Sequence, residues 1–477
     1  MSMQKDKGSL VSIRQRARWL AADMDTSISL FRRMVGDGDG ILLESAEVDG
    51  RWGRYSIIAC DMALFAECRQ GVLVLDIRDG RFAHLSSLAG LPFVDGLRRL
   101  MRSIEILPPE NMTDLPPITR ALYGYLGFGM ASLFNEVLQK IMPLEEADCR
   151  LALPSMILVF DHLYNKLCSV DLGGSKVDGL SDHLPGSAPC RRVPPASCQP
   201  GQDGYMSFVA SIRDALHAGE AIQVVPSARF SIPFCGDPFQ IYRRMRRINP
   251  SPYMFYIRFP EITLFGSSPE VMVRCTRGQL QLSPIAGTRR RGADELEDAR
   301  LAGELRADPK ERAEHVMLVD LGRNDLGRIA VPGSVKLERC MEIEKFSHVM
   351  HLTSRIGARL RPGADAVDVL AATFPAGTVS GAPKIRAMEI IRSLEGAGRG
   401  PYAGCIGWLG LDKDEVSLDM GITIRSMWVR DGRLFWQAGG GIVHDSDPLA
   451  EWNEVCNKSA IMRMVLQEEM EDVPAHR

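Results

Sequence analysis

Short apolar runs separated by turn residues dominate the first part of the chain, from residue 41 to residue 170. The run VLVLDI, the dipeptide Asp79-Gly80 and the run RFAHL predict a β-hairpin. The runs SMILVFD and LCSVDL flank the dipeptide Asn165-Lys166 and predict a second pair of strands. This part of the chain is therefore predicted to form antiparallel β-structure.

The pattern changes after a stretch rich in Pro, Gly and Ser at residues 173–204. From Tyr205 to Leu216 apolar residues recur at i, i+3, i+4 and i+7, and Gly219 supplies a stop, so a helix is predicted. Other predicted elements are helices around Glu297–Leu321, Lys384–Leu394 and Leu449–Met470, and a strand LFWQA after Asp431-Gly432. Helices and strands do not alternate regularly, which favours an α+β fold with large antiparallel sheets.

The length of 477 residues exceeds what one ordinary hydrophobic core contains. Because residues 173–204 lack apolar periodicity, they are interpreted as a linker or a surface loop. The expected organisation is an N-terminal region at 1–172, this linker, and a second unit at 205–470.

Composition and charge exclude several classes of protein. Hydrophobic content of 45% and charged content of 25% are those of soluble globular proteins. The 57 basic and 60 acidic residues give a net charge of −3, so no basic surface field is expected for nucleic acid. The longest apolar stretch, Leu151–Phe160, is shorter than the roughly 20 residues of a membrane-spanning helix.

The N-terminus has no signal-peptide pattern, and the eleven cysteines include no C-x-x-C pair. A disulfide framework and a zinc site are therefore not expected, and reduced thiols in a cytoplasmic protein are the preferred interpretation. The sequence Gly404-Cys405-Ile406-Gly407 superficially resembles a nucleophile elbow, but strand-like residues come after it, so Cys405 is expected in the core.

Two segments carry carboxylates at helical i, i+3 spacing: Glu311 and Glu314, and Glu451 and Glu454. On facing helices these pairs could form an all-oxygen site for Mg²⁺. Ordinary solvated surface is the alternative for either pair alone. Lys458, one turn after Glu454, is compatible with a salt bridge or with a ligand contact.

Glycine-rich turns add candidate anion sites. Gly377, Gly381 and Pro383 precede a predicted helix, whose N-terminal N–H groups can bind an anion. The turn Gly439–Gly441 allows close approach of a ligand to the backbone, and PIAGTRRRG at Pro284–Gly292 adds a basic turn. Each also fits an ordinary turn or surface loop.

Taken together and in order, a series of motifs resembles those of the chorismate-utilising enzymes, and among them the large subunits, component I, of anthranilate synthases. The matching segments are LLES (Leu42–Ser45), NPSPYMFY (Asn249–Tyr256), GSSPE (Gly266–Glu270), PIAGTR (Pro284–Arg289), EHVMLVDLGRND (Glu314–Asp325), SHVMHL (Ser347–Leu352), FPAGTVSGAPK (Phe374–Lys384), QAGGGIVHDSDP (Gln437–Pro448) and NEVCNKSA (Asn453–Ala460). The resemblance implies a sandwich of antiparallel sheets wrapped by helices and an activity on chorismate, a dicarboxylate with an enolpyruvyl ether.

The resemblance also implies the roles of the site residues. Mg²⁺ would bind Glu314 and Glu454, with Glu311 and Glu451 close by, and hold the ring carboxylate of chorismate. Residues assigned to catalysis are Glu270, as general acid for the departing hydroxyl, His351, Thr378 and Lys458. Residues assigned to substrate binding are Thr288 near the ring, and Tyr402, Arg425, Gly439 and Gly441 at the enolpyruvyl carboxylate.

Two positions favour ammonia as the nucleophile. Relatives that add water have a lysine where Gln223 stands, and an amide cannot take a proton from water. Relatives that make para-aminobenzoate have a lysine where Ala286 stands. The expected products are anthranilate and pyruvate, with ammonia supplied from glutamine by a separate glutamine amidotransferase subunit.

The resemblance further implies feedback inhibition by L-tryptophan. The inhibitor-binding residues would be Glu44, Ser45, Pro252, Tyr253, Met254 and Phe255.

Two alternatives to anthranilate formation remain open. One is a synthase that stops at aminodeoxyisochorismate, and the other is a silent chorismate- or tryptophan-binding regulator. Departures from the family pattern are Pro226, Gly440, His444 and Trp452.

Overall fold

The computed structural model describes residues 10–20, 25–45, 54–164, 166–173, 195–345 and 349–467. The strands are β1 (Val11–Arg14), β2 (Arg16–Leu20), β3 (Gly40–Glu44), β4 (Tyr55–Arg69), β5 (Val72–Ile77), β6 (Ile104–Leu107), β7 (Ala121–Leu126), β8 (Cys149–Asp161), β9 (Lys166–Asp171), β10 (Ser197–Gln199), β11 (Gln223–Val224), β12 (Ser227–Pro233), β13 (Tyr253–Phe259), β14 (Ile262–Ser268), β15 (Val271–Thr276), β16 (Gln279–Leu282), β17 (Ile285–Arg290), β18 (Lys336–Lys345), β19 (Val349–Arg359), β20 (Gly381–Ala382), β21 (Cys405–Gly410), β22 (Leu418–Ile422), β23 (Ser426–Arg430) and β24 (Arg433–Gly439).

The α-helices are α1 (Ser27–Val35), α2 (Phe93–Ser103), α3 (Ala131–Phe134), α4 (Glu136–Gln139), α5 (Gln202–His217), α6 (Pro238–Ile248), α7 (Glu295–Ala307), α8 (Pro309–Gly327), α9 (Ala366–Thr373), α10 (Lys384–Glu395) and α11 (Pro448–Gln467). Within the described ranges, no helix combines the length and the apolar composition needed to cross a membrane.

Antiparallel pairing organises the strands into two large sheets. The first has the order β10-β12-β24-β23-β14-β13-β3-β4-β8-β9-β2. The second runs β5-β4-β8-β7-β21-β22-β15-β16-β19, with β17 pairing along β19 beyond β16 and β18 on the other edge of β19. The fold is therefore α+β with large antiparallel sheets, which confirms the prediction from the sequence.

The strands β4 and β8 belong to both sheets. The first half of β4 pairs with β3 and its second half with β5, and the pairing of β4 with β8 shifts register between Met62 and Leu64. Asp61, immediately before the shift, has φ +51°. A bulge bends and twists a strand, so this irregularity carries both strands from one sheet into the other.

Two large hydrophobic cores result, and a smaller cluster of Leu301, Leu305, Met350 and Leu352 packs α7 against β19. One contains buried side chains from both sheets, such as Phe255 on β13 and Tyr123 on β7. The other joins the first sheet to α1, α5, α6, α10 and α11, with Phe31, Tyr256 and Val455 among its members. The helices therefore cover the first sheet on the side away from the sandwich core.

Most predicted elements that fall in the described ranges are present. The helix predicted from Tyr205 is α5, and the strand LFWQA lies in β24. The second predicted pair of strands is β8 and β9, which are antiparallel with Asp161 opposite Lys166. Cys405 is fully buried in β21, as expected of a core cysteine. Residue 165 of the predicted turn and residues 174–194 of the predicted linker lie outside the described residues, and the domain division remains a prediction.

The hairpin predicted around Asp79-Gly80 is wrong. β5 pairs with β4, and residues 80–88 form a 3-10 helix. Asp79 caps this helix by accepting a hydrogen bond from the backbone N of Arg81 over 2.9 Å. A capping aspartate and a hairpin aspartate have the same sequence context, so the dipeptide did not distinguish them.

The single helix predicted around Glu297–Leu321 is two helices, α7 and α8. Pro309 cannot donate a backbone hydrogen bond to α7 and instead begins α8. Asp308 caps α8 by accepting from the backbone N atoms of Lys310 and Glu311, over 3.0 and 3.2 Å. The break sets the direction of the helix that carries Glu311 and Glu314.

Candidate active site

Glu270 lies in the turn between β14 and β15, and its side chain is buried. Its backbone oxygen accepts a hydrogen bond from the backbone N of Ile422 over 2.9 Å, which fixes the turn against the end of β22. Burial raises the pKa of Glu270 to about 7, while the hydroxyl of Thr378 and the charges of Arg425 and Lys458 act in the opposite direction. A carboxyl with this pKa can hold and donate a proton at neutral pH.

Arg425 lies just after β22 with φ +49°, a backbone conformation that turns its side chain out of the strand direction. No described group accepts a hydrogen bond from its guanidinium. Burial lowers its pKa, and Tyr402, Glu270 and Glu454 act to raise it. An arginine placed in this way is suited to hold an anionic ligand.

Three of the four carboxylates predicted on α8 and α11 contact different partners. Nε2 of Gln223 donates to Oε1 of Glu314 over 3.1 Å. Glu311 accepts from Nη1 of Arg289 over 3.3 Å, and Glu454 pairs with Nζ of Lys458 over 2.5 Å. Burial raises the pKa of Glu314, and the neighbouring Glu311 and Glu454 raise it further.

Glu451 is buried, and its Oε2 atom has no hydrogen-bond partner. A Cβ atom built on Gly440 would lie 3.3 Å from that oxygen and 3.7 Å from Oε1 of Glu454. An unpartnered buried carboxylate oxygen next to other carboxylates fits a cation with oxygen ligands.

The described residues include no group of three or more acidic, histidine or cysteine side chains arranged to hold a metal ion. Mg²⁺ nevertheless retains waters and needs only one or two protein carboxylates when a substrate supplies further oxygens. The open arrangement of these carboxylates is compatible with that mode of binding.

The glycines at the end of β24 leave room that side chains would fill. A Cβ on Gly439 would collide with the carbonyl of Pro226 and lie 3.1 Å from the hydroxyl of Tyr402. A Cβ on Gly441 would lie 2.5 Å from Nε2 of Gln223. Nζ of Lys458 donates to the carbonyl of Gly439 over 3.1 Å, which ties α11 to this turn.

His351 on β19 lies opposite Thr288 on β17. Its Nδ1 atom is 2.9 Å from the carbonyl of Gly287 and 3.2 Å from the Thr288 hydroxyl. Burial lowers the pKa of His351, so the ring is neutral at neutral pH. A carbonyl accepts only from a protonated nitrogen, so Nδ1 carries the hydrogen and Nε2 is the basic atom.

A cavity of about 1150 Å³ lies between the two sheets, apart from these residues. Its lining includes the six residues assigned above to tryptophan binding, which are Glu44, Ser45, Pro252, Tyr253, Met254 and Phe255. The pairing of β3 with β13 brings them together, with Glu44 opposite Met254. The N-terminal and second parts of the chain thus meet at this cavity.

The carboxylate of Glu44 is fully buried and already engaged. It accepts hydrogen bonds from Ser27 over 2.5 Å, from Tyr242 over 2.6 Å and from Arg246 over 3.0 and 3.1 Å. These donors lie on α1 and α6, so Glu44 anchors both helices to the first sheet.

Sequence reasoning missed two groups near the site. One is Arg289, which pairs with Glu311 and with Asp308. The other is an ion pair between Glu395 and Arg399, whose side chains are largely buried. Their i, i+4 spacing was visible in the sequence, but such spacing is common on solvent-exposed helices and does not reveal burial.

Comparisons with known proteins agree with this geometry. The family model described as chorismate binding enzyme matches residues 79–464. Anthranilate synthase component 1 of Aquifex aeolicus is 38% identical over 471 residues, covering 94% of this chain and 93% of that protein. The corresponding protein of Pseudomonas aeruginosa is 38% identical over 468 residues, covering 92% of this chain and 93% of that protein.

Solved structures give the same result. Anthranilate synthase component I from Streptococcus pneumoniae has a TM-score of 0.72 at 33% identity, covering 86% of this chain and 92% of that one. The menaquinone-specific isochorismate synthase from Escherichia coli has a TM-score of 0.71 at 20% identity, covering 97% of both chains, and shows a shared fold. The chain therefore belongs to the chorismate binding enzyme family, and within that family it is similar to the anthranilate synthase component 1 members.

Proposed function

We propose that the chain is the large subunit of an anthranilate synthase, which converts chorismate and ammonia to anthranilate and pyruvate. The observation that carries the proposal is the buried carboxyl of Glu270, whose pKa is raised to about 7 near two cationic side chains. A neutral carboxyl can protonate the departing ring hydroxyl, while Arg425 and Lys458 stabilise the carboxylate that remains. The neutral amide of Gln223 leaves ammonia, rather than an activated water, as the nucleophile.

The other site residues hold the substrate or move protons. Tyr402, Arg425 and the backbone N–H groups of Gly439 and Gly441 bind the enolpyruvyl carboxylate, and Thr288 and Thr378 lie near the ring. His351, neutral and with Nε2 basic, accepts a proton during aromatisation or loss of pyruvate. Lys458 orients Glu454 and the Gly439 turn through its two contacts.

Glu314 and Glu454, with Glu311 and Glu451 beside them, would hold Mg²⁺. The unpartnered Oε2 of Glu451 and the raised pKa of Glu314 support this assignment. When bound there, a dication would neutralise the ring carboxylate of chorismate and withdraw electrons from the ring.

The partner is a glutamine amidotransferase subunit that releases ammonia from glutamine. The relatives are named component 1, which supports the existence of a second component. The enzyme would act in the cytoplasm. Inhibition by L-tryptophan at the cavity between the sheets is the remaining part of the proposal. Ser45, Pro252, Tyr253, Met254 and Phe255 would surround the inhibitor, and Glu44 would hold the cavity wall in place.

The test is an assay of the purified chain with chorismate, Mg²⁺ and ammonium, with anthranilate fluorescence as the readout. Glu270→Gln removes the acidic proton and should abolish product, whereas Glu261→Gln, an exposed residue in the turn between β13 and β14, should leave the rate unchanged. Mass analysis that finds only an aminated intermediate, without pyruvate, would replace anthranilate formation with the earlier step.

A further inference from the structure

The buried ion pair of Arg399 with Glu395 lies behind the substrate site. The side chain of Arg399 is 1% exposed and that of Glu395 is 8% exposed. Nε of Arg399 donates to Oε2 of Glu395 over 2.8 Å, and Nη2 donates to Oε1 over 2.6 Å. Two parallel hydrogen bonds fix the plane of the guanidinium.

The other donors of Arg399 reach two backbone segments of the site. Nη1 donates to the carbonyl of Val379 over 2.9 Å, and Val379 comes directly after Thr378. Nη2 donates to the carbonyl of Val225 over 2.6 Å, two residues after Gln223. The guanidinium therefore holds together the two backbone segments that carry Thr378 and Gln223.

Arg399 also supports Tyr402. Its guanidinium carbon lies 5.7 Å from the centroid of the Tyr402 ring and 4.5 Å from that of the Phe128 ring. Contacts of this kind between a buried cation and two rings restrict the position of the tyrosine.

Glu395 continues the connection to the glycine turn. It accepts hydrogen bonds from the backbone N of Ser227 over 2.8 Å and from its hydroxyl over 2.7 Å. Ser227 is the residue opposite Gly439 in the pairing of β12 with β24. One ion pair thus contacts the segments that carry Thr378, Tyr402 and Gly439.

We propose that the Arg399–Glu395 pair is a positioning element that sets the relative placement of Thr378, Tyr402 and Gly439 around the enolpyruvyl group. This inference rests on the proposed function. Neither charge touches the substrate, because both are enclosed by the protein groups described above. The planar fork of arginine serves four acceptors at once, and the single ammonium of lysine cannot reproduce that geometry.

The test compares Arg399→Lys with Arg150→Lys. Arg150 is another buried arginine, paired with Glu67 on the strands β8 and β4, and provides the matched control for losing a buried guanidinium. Displacing the binding groups should raise the KM for chorismate and lower kcat/KM by about 10- to 100-fold in Arg399→Lys. Arg150→Lys should change thermal stability without changing KM.

A second variant keeps the proposal testable if Arg399→Lys does not fold. Ser227→Ala removes one hydroxyl that donates to Glu395, a smaller change, and should raise KM in the same direction. In a double-mutant cycle, Tyr402→Phe should cost less in the Ser227→Ala background than in the wild type, because the two residues act through one network.

The outcomes are distinguishable. An unchanged KM in both Ser227→Ala and a folded Arg399→Lys, or equal KM changes in Arg399→Lys and Arg150→Lys, overturns the positioning role. Absence of anthranilate from the wild type overturns the proposed function instead. In that case calorimetric titration with chorismate still compares binding by the wild type and the variants.

Discussion

Gln223 and Glu314 are joined by a hydrogen bond of 3.1 Å between the side-chain amide and Oε1. The bond connects the position expected to separate ammonia-using from water-adding enzymes with a carboxylate proposed to hold Mg²⁺. A neutral amide orients the carboxylate of Glu314, whereas a cationic side chain would compete with a metal ion for that carboxylate. Gly441 provides the space for this amide, since a Cβ there would lie 2.5 Å from Nε2.

Gln223→Lys is therefore expected to raise the Mg²⁺ concentration needed for half-maximal activity. The new ammonium would pair with Glu314 and oppose a nearby dication. A water-dependent product, detectable by chromatography without ammonia, is also expected from the variant. Gln15→Lys replaces another buried amide and should leave the Mg²⁺ dependence unchanged. Isochorismate from the wild type without ammonia would contradict the role of Gln223.

The pH dependence should report Glu270. Its pKa of about 7 is above that of an ordinary carboxyl, so the proton is bound below pH 7 and lost above it. At a fixed concentration of free ammonia, kcat/KM should fall by about tenfold per pH unit above that point. Thr378→Val removes a hydroxyl that favours the charged form, and should shift this limb to higher pH. A limb that stays in place in Thr378→Val would contradict the assignment.

Loss of either central carboxylate should abolish turnover. Glu314→Gln or Glu454→Gln removes a charge from the proposed Mg²⁺ site, and the lost activity should not return at high Mg²⁺. Circular dichroism should show a folded protein in both cases. Glu304→Gln, on the exposed face of α7, is the control and should behave as the wild type. Full activity of the wild type in EDTA would refute a role for the metal.

Sensitivity to tryptophan should depend on the cavity between the sheets. Ser45→Leu fills part of it, and Met254→Thr shortens a buried side chain that packs behind its wall, so each should raise the inhibitor concentration needed for half inhibition. Turnover without tryptophan should largely survive, since neither residue belongs to the proposed active site. Met464→Thr, at an exposed position on α11, should keep wild-type inhibition. Equal inhibition of all the variants would place the inhibitor elsewhere.

Backbone packing at the centre of the second sheet gives a prediction about stability. Gly407 on β21 faces Gly124 on β7, and a Cβ on Gly407 would collide with the carbonyl of Asp419. Gly407→Ala should therefore lower the free energy of unfolding by about 1–3 kcal/mol, measured by urea denaturation. Gly303→Ala is the matched control, because that helical glycine has open space around it. It should instead raise stability by roughly 0.5–1 kcal/mol.

The sequence indicated the fold class and several helices, because period and turn chemistry are local properties. It did not separate a capping aspartate from a hairpin aspartate at Asp79, nor place the helix break at Pro309. The sequence pattern also did not reveal which charged side chains are buried. In the sequence, Glu270 and Glu451 cannot be told apart from solvated glutamates. Only the packing around them in the folded chain shifts their pKa values upward. The same applies to the engaged carboxylate of Glu44 and to the enclosed Arg399.

The N-terminal strands that complete each sheet have a consequence for expression of shortened genes. A fragment that begins at residue 205 would lack β3 and β7, the hydrogen-bonding partners of β13 and β21. Both of those strands would then expose unpaired amide and carbonyl groups along apolar edges, which promotes aggregation. We therefore expect that β3 and β7 are needed to keep the second half of the chain soluble.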